Sequence, residues 1–446
     1  MSIIAQSTIC ALATPVGIGA IAVIRVSGSE TFPIVQKLFR GKKLADQASH
    51  TILFGTIRDE DGTIVDEVLL SLFRTPHSYT REDTIEISCH GSAFIIQKIL
   101  RLLIRQGCQM AKPGEFTQRA FLNGQLDLAQ AEAVADLIAS DNDASHKAAI
   151  HQIRGGFSKD IGQLREQLIH FASLIELELD FGEEDVEFAD REQLRRLINA
   201  IRQTLRPLID SFTLGNALKE GVPVAIVGPP NAGKSTLLNA LLNEEKAIVT
   251  EIAGTTRDVI EDTLVISGIK FRILDTAGIR TTNDRVEAIG VERSLEALNR
   301  AEIVLKLSSP DVASAEFEEL FAARLGNQNR VISIHTKADL SEDVHSDLAI
   351  SAQTGQGIEE LKELLIDRVS QHRTNDTVVT NLRHFEHLTA TDAALQRALT
   401  GLDAGITQDW LAMDIRQSLM HLGEITGQIT TDDLLENIFS KFCIGK

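Results

Sequence analysis

Eight residues in the middle of the chain, Gly228-Pro-Pro-Asn-Ala-Gly-Lys-Ser235, have the types and spacing of a phosphate-binding loop. Glycines let backbone N–H groups converge on phosphate oxygens, and a following helix adds the positive end of its dipole. On this pattern Asn231, Ala232, Gly233, Lys234, Ser235 and Thr236 would line a nucleotide. Lys234 would reach the β- and γ-phosphates, and the Ser235 hydroxyl would hold Mg²⁺.

Three further segments add the rest of a nucleotide site. Asp275-Thr276-Ala277-Gly278 ends an apolar run from Phe271, placing a carboxylate for the Mg²⁺ shell and an amide for the γ-phosphate. Thr336-Lys337-Ala338-Asp339 ends a second apolar run from Val331, and the Asp339 carboxylate can accept both N1–H and N2–H of guanine. That paired polar contact selects GTP over ATP. Ser351-Ala352-Gln353 closes a third run, where a backbone N–H can meet guanine O6. Between loop and Asp275 lies Thr250-Glu251-Ile252-Ala253-Gly254-Thr255-Thr256, a glycine- and threonine-rich stretch suited to ordering around Mg²⁺ and γ-phosphate, with Thr256 as the second Mg²⁺ ligand.

These motifs need a strand before each loop, and the sequence supplies them. Val222–Val227 reads as a buried strand and Thr236–Leu242 as the helix that follows the loop. From 220 to 375 strands alternate with helices, as in a parallel-sheet α/β domain. Residues 1–118 instead show β-branched runs at period two (Ala20–Val26, Thr51–Ile57, Val68–Phe73, Thr84–Ser88), then a helix over 93–106, and read as an α+β domain. Segments 119–219 and 376–446 are helical. Leu126, Ala129, Ala133, Leu137, Leu164, Leu168, Leu174 and Leu177 mark apolar stripes in the first, and Leu388, Leu395, Leu399, Leu411, Ile415, Leu419 and Leu422 in the second. The simplest organisation is one helical domain interrupted by the α/β domain; two separate helical domains are the alternative.

Composition excludes several classes. The 446 residues are 43% hydrophobic and 24% charged, ordinary for a folded protein and unlike a disordered or collagen-like chain. No apolar run approaches the ~20 residues of a membrane span. Met1–Cys10 lacks the basic start of a secretory signal, and the expected location is cytoplasmic, with Cys10, Cys89, Cys108 and Cys443 as reduced thiols. The net charge of −19 is unevenly placed: 12 basic against 11 acidic residues over 1–118, 16 against 25 over 220–375, and 16 against 27 in the two helical segments together. Strong sequence-independent RNA binding is not expected from such a surface, so an RNA partner would rely on local basic patches.

Taken together, the phosphate loop, Gly254-Thr-Thr-Arg-Asp258, Asp275–Arg280, the segment 112–128 (KPGEFTQRAFLNGQLDL) and the closing Phe442-Cys-Ile-Gly-Lys446 resemble the MnmE (TrmE) family of tRNA modification GTPases over essentially the whole chain. The resemblance implies an α+β folate-binding and dimerisation domain and a helical domain interrupted by a Ras-like P-loop GTPase domain. It further implies a homodimer that binds a tetrahydrofolate derivative of the 5-formyl or methylene type. With MnmG, a partner flavoprotein that carries the FAD, the family installs a carboxymethylaminomethyl- or aminomethyl-type group at C5 of the wobble uridine of certain tRNAs.

By the same resemblance Asn231, Thr250, Ile252 and Thr255 match a K⁺ site whose charge could replace a trans-acting arginine. Ile279 stands where Ras-like enzymes have a water-positioning Gln, and Glu287 matches the family's catalytic Glu; a solvated carboxylate is the other reading of Glu287. Arg25, Glu86 and Lys446 match folate contacts, with Arg25 suited to a carboxylate and Glu86 to the pterin edge. Two positions depart from the family: Gln125 stands where a basic residue is usual, and Thr336 where Asn is usual. Cys443 matches a functional thiol, against the alternatives of a structural core cysteine or a poorly fitting prenylation box. The competing functional class is a regulatory or ribosome-assembly GTPase switch, which would not need the 118-residue N-terminal domain or the cysteine tail.

Overall fold

The computed structural model describes residues 7–180, 190–244, 262–274, 297–310, 330–340, 348–370, 378–405 and 408–445. The protein is multidomain, with an α+β N-terminal domain and a helical domain interrupted by a P-loop α/β domain. By internal contacts it divides into two compact units. One comprises 1–135, 152–166 and 419–446, and the other 136–151 and 167–418.

In the first unit, β1 (Ile9–Leu12), β2 (Gly19–Ser27), β3 (Phe39–Arg40), β4 (Thr51–Arg58), β5 (Ile64–Phe73), β6 (Thr84–Gly91) and β7 (Gln109–Met110) form one sheet in the order β3-β4-β5-β6-β2-β1-β7. Its pairs are antiparallel except β1 with β7. Two helices, α1 (Thr31–Leu38) and α2 (Ala93–Arg105), cover one face, and the sequence reading had missed α1. Phe32, Val35 and Leu38 of α1 and Ile99, Leu102 and Leu103 of α2 join Ile24, Val26, Leu70, Leu72, Ile85 and Ile87 in a common core. Burying such side chains is worth about 1.5–3 kcal/mol each. Because strand side chains alternate, burying Ile24, Val26, Ile85 and Ile87 turns Arg25 and Glu86 to the opposite face, where the register sets them directly across from each other.

After the sheet comes α3 (Glu115–Leu122), entered through Gly114 at φ 67°. A Cβ at Gly114 would sit 2.6 Å from the Phe439 carbonyl oxygen, so only glycine admits this approach of the C-terminal segment. Helices α4 (Leu128–Ala139), α5 (Asp143–Ile153), α6 (Gly156–Asp180) and α7 (Arg191–Glu220) follow. Of the stripe residues read from sequence on α6, Leu164 and Leu168 are buried and Leu177 is exposed; Ile161 and Ile175 complete the apolar face.

In the second unit the α/β domain is a six-stranded sheet. Its strands are β8 (Val222–Val227), β9 (Asp262–Ile266), β10 (Ile269–Leu274), β11 (Ile303–Ser308), β12 (Val331–His335) and β13 (Leu348–Ala349), in the order β13-β12-β11-β8-β10-β9. All neighbours are parallel except the edge hairpin β9–β10, an antiparallel pair that the parallel-sheet reading did not anticipate. Strand β8 is central and its residues are almost wholly buried, which accounts for an uninterrupted apolar run. Helices α8 (Lys234–Glu244) and α9 (Ile358–Ser370) contribute Leu237, Leu238, Leu241, Ile358, Leu361 and Leu365 to its core.

The chain then returns to helices: α10 (Leu382–Ala404), α11 (Gln408–Thr426) and α12 (Asp432–Phe439). Helix α10 packs along α7, on the other side of the inserted domain in sequence. Arg202 donates to both carboxylate oxygens of Asp392 (2.6 and 3.2 Å), Phe212 stacks on Phe385 at 4.4 Å, and the Ser211 hydroxyl accepts from the Val379 amide. Helices α7 and α10, from either side of the inserted domain in sequence, therefore pack as parts of one helical domain.

Candidate functional sites

The phosphate loop leaves the carboxyl end of β8 at the centre of the sheet, the usual ligand position in open α/β folds. Gly228 opens it because a Cβ there would lie 2.9 Å from the Leu307 carbonyl oxygen of β11. The turn is completed by Asn231 at φ 63° and Gly233 at φ 85°, and Lys234 begins α8. First-turn N–H groups of a helix have no intrahelical acceptor and so face the loop's ligand position. Lys234 Nζ donates to the loop's own carbonyl oxygens, Gly228 at 2.7 Å and Pro229 at 2.8 Å. Burial pushes its ammonium below the usual lysine range. A desolvated cation held over the loop fits a triphosphate, whose oxygens would replace those carbonyls. Ser235 and Thr236 follow on the first turn of α8, where a hydroxyl oxygen suits a hard cation such as Mg²⁺.

The Thr336–Asp339 segment, expected from its sequence to read the base, meets this loop through Thr336. Its hydroxyl lies 2.8 Å from the Ala232 carbonyl oxygen and 3.0 Å from that of Ser308, and its amide donates to Ser308 at 2.8 Å. The departure from Asn thus keeps a buried polar link between phosphate loop and base-reading loop. Lys337 adopts φ 57°, Ala338 donates to the Ile350 carbonyl (3.0 Å), and Asp339 is exposed at the end of the turn. Ser351 is buried and its amide is committed to the Gln356 carbonyl (2.9 Å); Ala352 is half-buried and Gln353 exposed beside it. Thr250, Glu251, Ile252, Ala253, Gly254, Thr255, Thr256, Asp275, Thr276, Ala277, Gly278, Ile279, Glu287 and Lys446 lie outside the described residues.

A second polar site stands on the open face of the N-terminal sheet. Arg25 Nε and Nη2 donate to the same oxygen of Glu86, Oε1, at 3.0 and 2.8 Å. Its Nη1 reaches the Gly445 carbonyl oxygen at 3.4 Å, and the guanidinium lies 5.3 Å from the Tyr79 ring centroid and 5.5 Å from that of Phe116. Such contacts add cation–π attraction to the ion pair. Tyr79 is itself fixed by a 2.9 Å hydrogen bond to the Thr117 hydroxyl, and burial raises its phenol above the usual range. The sequence reading gave Arg25 and Glu86 separate ligand contacts; the structure joins them to each other.

Beneath this corner Arg119 is buried. It donates to Glu115 (2.9 Å), to both carboxylate oxygens of Glu82 (3.2 and 3.3 Å) and to the Ser7 carbonyl (2.7 Å). Ser27 adds a hydrogen bond to Glu82 Oε2 at 2.7 Å. Sequence reasoning singled out the 112–128 segment but not these partners, because Ser27, Tyr79 and Glu82 come from other strands and loops. Gln125 accepts from Arg81 Nε at 2.8 Å.

The C-terminal tail completes the corner. Gly445 passes so close to β1 that a Cβ would meet the Leu12 carbonyl oxygen at 2.2 Å, and the Cys443 carbonyl accepts from the Gly114 amide at 3.3 Å. Cys10, Cys89 and Cys108 are buried, as expected for small core residues, and burial pushes the Cys89 thiol up to about 11. Cys443 is exposed, which removes the reading of it as a core cysteine.

Comparison with known proteins covers both regions. The family described as "MnmE helical domain" matches residues 128–443, and that described as "GTP-binding protein TrmE N-terminus" matches 8–125. A tRNA modification GTPase MnmE of Cytophaga hutchinsonii is 56% identical over 454 residues, covering 98% of each chain. Proteins of the same name from Christiangramia forsetii and Flavobacterium johnsoniae are 52% and 53% identical, each over 99% of both chains.

Proposed function

The chain belongs to the MnmE family of tRNA modification GTPases, and from that premise we propose how its two sites divide the work. It is a GTPase acting in tRNA modification. In our reading it is a cytoplasmic homodimer that works with the flavoprotein MnmG. It adds a carboxymethylaminomethyl- or aminomethyl-type group at C5 of the wobble uridine, drawing a one-carbon unit from a tetrahydrofolate. The domain boundaries follow the sequence pattern: 1–118, 119–219, 220–375 and 376–446.

GTP is held by Asn231 through Thr236, with Lys234 moving from its loop carbonyls to the phosphates and Asp339 selecting guanine. Ser235, Thr256 and Asp275 would hold Mg²⁺, which draws charge off the phosphoryl oxygens. Asn231, Thr250, Ile252 and Thr255 would hold K⁺ beside the same linkage. Glu287 orients the attacking water, a role that Ile279 cannot fill. In the N-terminal domain Arg25 and Glu86, with Lys446, position the one-carbon carrier, and Cys443, exposed on the tail two residues before the Gly445 that meets Arg25, acts as an acid or transient nucleophile.

The observation that supports this reading most strongly is the full-length likeness to tRNA modification GTPases, joined to a phosphate loop whose lysine is desolvated and pre-aimed. Nucleoside analysis of tRNA from cells lacking this protein is the direct test. Loss of the modified wobble uridine is expected, together with GTP hydrolysis by the purified protein that is faster in K⁺ than in Na⁺. Normal wobble uridines alongside defective ribosomal subunits would overturn the tRNA chemistry in favour of an assembly switch. Equal rates in the two salts would remove the K⁺ site.

A further inference from the structure

An anionic ligand in the N-terminal corner meets an unexpected charge balance. Arg25 is neutralised by Glu86, since two of its donors converge on one carboxylate oxygen. Arg119 is buried and neutralised by Glu82 and Glu115. Carboxylates brought here from solution need a cation that no protein carboxylate has claimed.

Among the described residues, Arg81 is such a cation. It lies on the loop joining β5 to β6, two residues beyond the tyrosine that flanks Arg25. It is exposed, and its recorded side-chain partners are neutral oxygens: Gln125 Oε1 at 2.8 Å from Nε and the Asn123 carbonyl at 3.1 Å from Nη1. These two bonds use Nε and Nη1, and both acceptors are uncharged. The acidic residues that follow it in sequence face elsewhere. Glu82 holds Arg119 and Ser27, and Asp83 Oδ1 accepts from the Thr75 amide at 3.0 Å. Arg40, Arg58 and Arg74 of the same domain also bond only to carbonyl oxygens near them in the fold; Arg81 differs in being tied to Gln125 and Asn123 of the segment after α3, with no ion-pair partner among the described residues.

Its backbone points the same way. Arg81 sits at φ 58°, in the left-handed region that glycine enters without steric cost. The surroundings hold it there: its amide donates to the Ser78 carbonyl (3.3 Å) and its carbonyl accepts from the Thr75 hydroxyl (2.7 Å). A side chain kept at a position that glycine would fill more easily is a reason to look for a ligand.

We propose that Arg81, presented by Gln125 and Asn123, binds carboxylates of the glutamate tail of the one-carbon carrier. The inference rests on the folate reading above and deepens it: Arg25 and Glu86 act as a neutral pair toward the body of the carrier, and Arg81 reads its charged tail. A tail of several glutamates offers more carboxylates than one, so the full-length protein favours polyglutamylated carrier.

Isothermal titration of the full-length protein with mono- and triglutamyl 5-formyltetrahydrofolate tests this, comparing the unaltered protein with Arg81→Gly and Arg81→Lys. Glycine suits φ 58°, so the Arg81→Gly protein should melt at or above the temperature of the unaltered one and loss of binding cannot be blamed on misfolding. The expected result is roughly 3- to 10-fold weaker triglutamate binding in Arg81→Gly, a smaller change for monoglutamate, partial recovery in Arg81→Lys, and a shallower dependence on salt. Undiminished triglutamate binding by a folded Arg81→Gly protein would overturn the role of Arg81 alone. Failure of the unaltered protein to bind either carrier would overturn the folate reading, and this inference with it.

Discussion

The phosphate loop and the Arg25–Glu86 corner are both polar sites on sheets, but they are assembled over very different lengths of chain. The loop is eight consecutive residues whose backbone does most of the chemistry, with Lys234 held by carbonyls five and six residues away. The corner joins Arg25 of β2, Glu86 of β6, Tyr79 of a loop, Phe116 of α3 and Gly445 of the tail, a span of 420 positions between Arg25 and Gly445. In the loop, the Lys234 ammonium is met by carbonyl oxygens rather than by a carboxylate among the described residues. At the corner, Arg25 and Glu86 cancel each other and specificity must come from shape, ring contacts and a cation placed to one side. A local motif can carry a positive charge unpaired because its ligand is always the same anion; a site built from distant strands satisfies its own charges first.

The most severe way to separate the two regions is Lys234→Ala. Removing the desolvated ammonium should lower GTP hydrolysis by about 100-fold or more. Carrier binding at the N-terminal domain should stay within about twofold, measured by phosphate release and by titration calorimetry on the same preparation. A matching loss of carrier affinity would show that the two sites are not independent.

Removal of residues 441–446 makes the converse cut. The tail gives the Gly445 carbonyl to Arg25 and the Cys443 carbonyl to Gly114, and carries the exposed Cys443 thiol. Its loss should abolish wobble-uridine modification while hydrolysis remains near its original rate. Hydrolysis that falls with the tail would count against placing the modification chemistry there.

A smaller effect is expected inside the nucleotide site itself. Thr336→Val deletes the hydroxyl shared between the Ala232 and Ser308 carbonyls and leaves a buried acceptor without its donor. The cost is about 1–2 kcal/mol, read as a roughly 5- to 30-fold weaker affinity for a fluorescent guanine nucleotide. Unchanged affinity would mean that the link between phosphate loop and base-reading loop is ornamental.

The differences between reading and structure follow from range. The glycines of the phosphate loop, the apolar run of β8 and the period-two alternation that separates Arg25 from Ile24 and Val26 are local patterns, and they survive folding because each is fixed by neighbours within a few residues. The edge hairpin β9–β10 and helix α1 are not in the reading: β9 pairs antiparallel with β10 over a Ser267-Gly268 turn, a local signal that the pattern of strands alternating with helices passes over, and α1 is only eight residues long and opens without a side-chain cap. The exposure of Cys443 could not be read from Phe-Cys-Ile, since an apolar setting along the chain does not say which side chain the tail turns outward.

By itself, then, the sequence determined the nucleotide, the fold class and the family, because backbone-built motifs and hydrophobic periods are written in adjacent residues. Only the tertiary structure decided that Arg25 answers Glu86, that Thr336 ties two loops together, that α7 and α10 are one domain, and that Arg81 bonds to Gln125. Each of these is a pairing of charges or hydrogen-bonding groups far apart in the chain, and which donor meets which acceptor is settled by strand register and loop closure.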